Sequence, residues 1–217
     1  ITVKAGDTGN DVTQKGETTY GDTDTIITNQ NKDIASSNTV TIETNDKNDK
    51  VEVTLKDVNI NVGSDSGSAL TSNGDVTLTL KGDNSLTGGN GGSGISSNGS
   101  LTITGGENDS LTAKGGSGRS GIFSSGGVTI SGGTVNATGG SSGSDSGDGI
   151  HSGSLTMKGG TVNAKGGSGA DGGSGIRTFS SGGVTISGGS TVNATGGDAS
   201  DKDASAGGSG ILIFGSG

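Results

Sequence analysis

Apolar residues in this chain stand at every second position in short runs, and the runs return at a nearly constant interval. One stretch carries Val128 and Ile130, then Val135 and Ala137, then Ile150. Spacing of i, i+2 is the period of a strand and not of a helix. Gly-Gly pairs and Gly/Ser loops break the runs at fixed places. There the chain is expected to turn through conformations that glycine adopts most easily. No run reaches the ~10 residues that a helix needs.

Five segments share this grammar, beginning at Val76, Leu101, Val128, Leu155 and Val184. Each leads through a loop to a Gly-Ile pair, at Ile95, Ile122, Ile150, Ile176 and Ile211. A looser copy begins at Val51, and Val40-Thr41-Ile42 is a degraded one. Successive copies are 25 to 29 residues apart. Three short strands per coil of about 26 residues predict an all-β, single-stranded parallel β-helix, expected to be right-handed. The solenoid should occupy residues 40–217, with residues 1–39 as a cap and first irregular coil continuous with it.

Stacking at ~4.8 Å per coil would turn a few apolar residues per copy into columns. The first is Val76, Leu101, Val128, Leu155, Val184; the second is Leu78, Ile103, Ile130, Met157, Ile186. The third reads Leu86, Leu111, Val135, Val162, Val192, and the fourth consists of the five Gly-Ile isoleucines. Outward rows follow by alternation: Thr77, Thr102, Thr129, Thr156, Thr185 on one face, and Thr87, Thr112, Asn136, Asn163, Asn193 on another. The Thr row is interrupted in its neighbouring row by Lys158 and small Ser residues, which argues against ice binding. Stacked Asn is expected to form an amide ladder.

Composition changes the picture in one respect. With 49 Gly, no Pro, no Trp, little aliphatic residue and a net charge of −9, the chain would ordinarily read as disordered. A flexible linker would have no reason to keep four aliphatic columns in phase. No Cys excludes disulfides and thiolate sites, and a single His excludes His-rich zinc sites. The acidic balance argues against nucleic acid. No apolar run is long enough to span a membrane. Beginning at Ile1, without an initiator Met or a leader, the chain reads as a mature or trimmed piece.

Two sets of residues offer chemistry. The residue after each column isoleucine is Ser96, Phe123, His151, Arg177 or Leu212. Phe123, His151 and Arg177, with Arg119 in the preceding loop, would form a strip suited to a sugar or uronate chain. Every acidic residue after position 110 lies in the loops: Asp145, Asp148, Asp171, Asp198, Asp201 and Asp203. Carboxylates beside turn carbonyls suit Ca²⁺, which takes six to eight oxygens; otherwise they solvate a Gly-rich rim. Gly166 to Asp171 matches one copy of a tandem calcium repeat.

The pattern VEVTLKDVNI, VTLTLKGDNSLTG and LTITGGENDSLTAKG resembles the β-helical carbohydrate-binding domain of clostridial and related bacterial surface proteins, over residues 40–217. That resemblance implies a non-catalytic binder of cellulose or pectin-like acidic polysaccharide, with bound calcium, at the cell surface or outside the cell. The VTISGGTVNATGG repeats are also similar to segments of large bacterial adhesins. The leading expectation is therefore a monomeric polysaccharide-binding module, with calcium assistance. The alternatives are a structural stalk and, third, a polysaccharide lyase built on Arg177 beside Asp148 and Asp171.

Overall fold

The computed structural model describes residues 1–44, 49–200 and 207–214. It is an all-β solenoid of about six turns, with about 27 residues per turn and no helix among the described residues. Each coil contributes to three walls, because each coil holds three alternating runs separated by turns. The first wall stacks Val40–Glu43, Leu70–Ser72, Ile95–Ser97, the first part of Ile122–Ile130 and of Ile150–Met157, Ile176–Thr178 and Ile211–Ile213. The second stacks Lys50–Lys56, Asp75–Lys81, Leu101–Thr104, the ends of the same two long strands, and Val184–Ile186. The third stacks Asn59–Asn61, Asp83–Thr87, Ser110–Lys114, Thr134–Thr138, Thr161–Lys165 and Thr191–Thr195. All pairing within the walls is parallel and in register, so residues some 27 positions apart become vertical neighbours.

Three expected columns form as read. Val76, Leu101, Val128, Leu155 and Val184 pair in series, as do Leu78 to Ile186. The isoleucine column runs from Ile95 to Ile211 and continues through Leu70 to Val40. Most members are fully buried.

The third column differs by two residues at one coil. Leu111 pairs with Asn84 rather than with Leu86, and Leu86 lies between Ile60 and Ala113. A shift of two preserves which face is inward, so the apolar pattern alone does not distinguish the registers. Asn84 is 2% exposed, inside an otherwise aliphatic stack. Its Oδ1 accepts the Val58 N–H at 3.0 Å, and its Nδ2 donates to the carbonyls of Lys81 and Ser110, both at 3.2 Å. The same shift places Ser85, not Thr87, in the outward row with Thr112. Farther along, the expected amide ladder is present. Asn193 donates to Asn163, and Asn163 to Asn136, each at 2.8 Å.

A fifth inward column is polar. Ser72, Ser97, Ser124, Ser152 and Thr178 stack beneath the corner between the first and second walls and are almost fully buried. Ser97 and Ser124 both donate to the Gly99 carbonyl, at 3.0 and 2.8 Å, and Ser152 donates to Ser154 at 3.0 Å. These bonds satisfy carbonyls that the corner removes from the ladder.

Glycine serves two distinct purposes. Gly133 and Gly160 hold φ of 76° and 82°, the left-handed region anticipated for turns. The pairs before the long loops do not. Gly116, Gly140, Gly167 and Gly197 have ordinary φ, but a Cβ on any of them would overlap the carbonyl of the glycine one coil below. There the requirement is backbone stacked directly on backbone, not a special dihedral angle.

The two ends differ. At the N-terminal end Thr2–Gly6, Gly9–Gln14 and Glu17–Asp22 form an antiparallel meander. Its first strand lies parallel on Val40–Glu43, and Ile26–Thr28 lies parallel on Lys50–Lys56. Val3 and Ile27 seal the core there. At the other end Ile186, Ile211 and Ile213 are 50%, 43% and 53% exposed.

Candidate functional site

The strip anticipated on the first wall is assembled by that parallel register. Phe123, His151 and Arg177 are consecutive partners, each one residue beyond a buried isoleucine and therefore turned outward. The Phe123 ring meets the His151 imidazole edge-on, with centroids 5.6 Å apart.

Two further aromatic residues join it. Phe179 follows buried Thr178, and Phe214 follows Ile213, its register partner. Phe179 meets His151 edge-on at 5.2 Å, and the Arg177 guanidinium lies 5.2 Å from the centre of the Phe214 ring. All three phenylalanines and the only histidine of the chain are thus gathered on one strip. Phe179 and Phe214 stayed hidden because the residues before them belong to the polar column and to the chain's end. The signal that would have found them is the offset of three from Ile176 and Ile211.

Asp148 belongs to this strip rather than to a metal rim. Two residues before Ile95, Ile122, Ile150 and Ile176 stand Ser93, Ser120, Asp148 and Ser174, all less than a tenth exposed; before Ile211 the position is Ser209, which is exposed. Asp148 is the one carboxylate in that serine row. Its Oδ1 accepts the Ser174 N–H at 2.7 Å. Its Oδ2 lies 3.7 Å from Arg177 Nη1 and 3.3 Å from His151 Nδ1. One carboxylate oxygen is therefore taken by buried backbone and the other faces the two outward polar side chains of the strip.

The remaining expected ligands that lie among the described residues do not converge. Asp145 and Asp171 are bridge partners on adjacent loops, both exposed. Asp198 is exposed on the next loop, and its own N–H is taken by Ser168 Oγ at 3.1 Å. Asp201 and Asp203 lie outside the described residues. Among the described residues, no three of His, Cys, Asp or Glu come together to hold a cation. Arg119 is exposed on the same rim and makes no side-chain hydrogen bond or ion pair with the described residues. Gly118 beside it abuts the Asp145 backbone.

Burial among the rings is the largest influence on His151 and pushes its pKa below the ordinary imidazole value; Asp148 opposes this and Arg177 adds to it. The folded chain therefore favours neutral imidazole, and the unfolded chain takes up the proton more readily. The sign follows from linkage. The contribution to stability is complete above the ordinary value near ~6.5 and is lost as pH falls through the depressed one. Lowering the pH from about 7 to about 5 should reduce Tm more in the wild type than in His151→Gln, which lacks the group. Equal slopes in thermal melts of the two proteins would contradict this.

A cavity lies elsewhere, near the N-terminal meander, lined by Ile27, Ile34, Val40 and Ile60 among others. It contains no member of the cluster. A polymer lies along a surface rather than inside such a hollow, so the strip is the better candidate. No protein family, curated protein or solved structure matches the chain.

Proposed function

We propose that the protein is a non-catalytic, extracellular polysaccharide-binding module that holds its ligand along the first wall. One observation carries the reading: every Phe and the sole His of an aromatic-poor chain lie together with Arg177 on one outward strip. Low aromatic content argues against a sugar platform only when the rings are scattered. Here the exposed rings of Phe179 and Phe214 supply apolar faces for the C–H side of a pyranose. Arg177 and neutral His151 supply polar groups for its hydroxyls. Among the described residues no three carboxylates converge, so the binding proposed here rests on the rings and Arg177 and does not call on a Ca²⁺ ion, which takes six to eight oxygens.

A structural segment that presents another module is the second reading, favoured by the exposed apolar residues Ile186, Ile211 and Ile213. A lyase remains third, because Arg177, its candidate base, is held by Asp148.

Affinity electrophoresis through gels containing single neutral or acidic polysaccharides tests the proposal. The wild type should be retarded by at least one, with no change in chelator. Phe179→Ala/Phe214→Ala should weaken retardation about tenfold, from two stacking contacts of ~0.5–1.5 kcal/mol each. Passage through every gel without retardation would leave the structural reading.

A further inference from the structure

Resting on that polysaccharide reading, we propose that Asp148 sets the specificity of the strip, making it a site for uncharged sugars that rejects uronates. In the neighbouring coils this buried position is Ser93, Ser120 or Ser174. Serine therefore satisfies the fold, and the carboxylate is not needed to build the turn. What it adds is a fixed negative charge 3.7 Å from Arg177 Nη1, on a side chain only 5% exposed.

Arg177 is the sole cation on the strip, and a guanidinium recognises a carboxylate through paired N–H donors. With Asp148 already in that position, an incoming uronate would have to compete with a buried, pre-placed carboxylate. It would also approach a protein of net charge −9. Among the described residues of the neighbouring rim, Arg119 stands where Asp145, Asp171 and Asp198 outnumber it. An uncharged pyranose meets none of these penalties. It can stack on Phe179 or Phe214 and hydrogen-bond to the outer guanidinium N–H groups that Asp148 leaves free.

The decisive variant is Asp148→Ser, which installs the residue of the adjacent coils and should fold. In affinity gels, the wild type should be retarded by a neutral β-glucan such as hydroxyethylcellulose or by another neutral polysaccharide of the panel. It should run freely through polygalacturonate, with no dependence on salt. Asp148→Ser should keep the neutral ligand within a few-fold and gain retardation by polygalacturonate that fades as salt is raised. Adding Arg177→Ala to it should abolish that gain. Retardation of the wild type by polygalacturonate would overturn the inference and leave the polysaccharide reading standing. So would a folded Asp148→Ser protein that gains nothing. Absence of retardation by any polysaccharide would defeat both. Should Asp148→Ser not fold, the selectivity of the wild type decides alone.

Discussion

Gly140→Ala should destabilise the protein by about 3 kcal/mol or more, beyond the usual range for a single added methyl group. The new Cβ would overlap the Gly116 carbonyl oxygen of the coil below and crowd the Gly115 carbonyl, 2.9 Å away. Neither neighbour is a flexible side-chain tip; both are backbone held in the stack. Gly140 itself donates its N–H to Arg119 O at 2.8 Å. Relief therefore requires two coils to separate, and in a solenoid each coil is stabilised chiefly by its neighbours. Gly143→Ala is the control. No atom lies within 4 Å of its Cβ position, and its φ is not in the left-handed region. It should change stability by less than ~0.5 kcal/mol. Denaturant unfolding of both variants gives the comparison; equal midpoints would refute backbone stacking at this register.

Asn84→Ala should cost about 3 kcal/mol. The substitution leaves the buried Val58 N–H without an acceptor and removes donors from two carbonyls, at ~1–3 kcal/mol for an unsatisfied buried group. It also opens a small void between Val58 and Leu111. Asn84→Leu separates the two registers. Were Leu86 the true member of the third column, position 84 would be peripheral, and Leu there would be nearly neutral. In the observed register Leu fills the void but still leaves Val58 N–H unpaired, so Asn84→Leu should also lose stability. A more stable Asn84→Leu protein would contradict the structure.

The walls were legible because alternation of period two and a near-constant coil length are both visible in a single chain. Val128 announces Leu155 and Ile122 announces Ile150 by type and distance alone. What escaped had other physical causes. Leu86 was misassigned because a slip of two keeps every inward residue inward. Ser97, Ser124 and Ser152 were invisible as core because a hydroxyl looks like surface until its carbonyl partner at the corner is known. The purpose of Gly140 was missed since a close approach between coils leaves no mark on the local sequence. Phe123, His151 and Arg177 were found by counting from the isoleucine column, whereas Arg119 was placed only by proximity in the chain. Asp148 resembled the other loop aspartates because charge, unlike alternation, does not reveal the direction of a side chain. Its offset of two from Ile150, shared with Ser120 and Ser174, is the clue that turns it inward.

His151, as the only histidine of the chain, supplies a single pair of imidazole carbon-bound proton signals in the NMR spectrum. These signals can be followed while a polysaccharide that retards the protein is added. With Phe123 and Phe179 edge-on to the ring, they should start displaced from free-histidine positions and move with the ligand, reaching half of their full shift at the concentration that gives half-maximal retardation. Signals at free-histidine positions, or unmoved by a ligand that demonstrably binds, would mean that the polysaccharide is held somewhere other than on this strip.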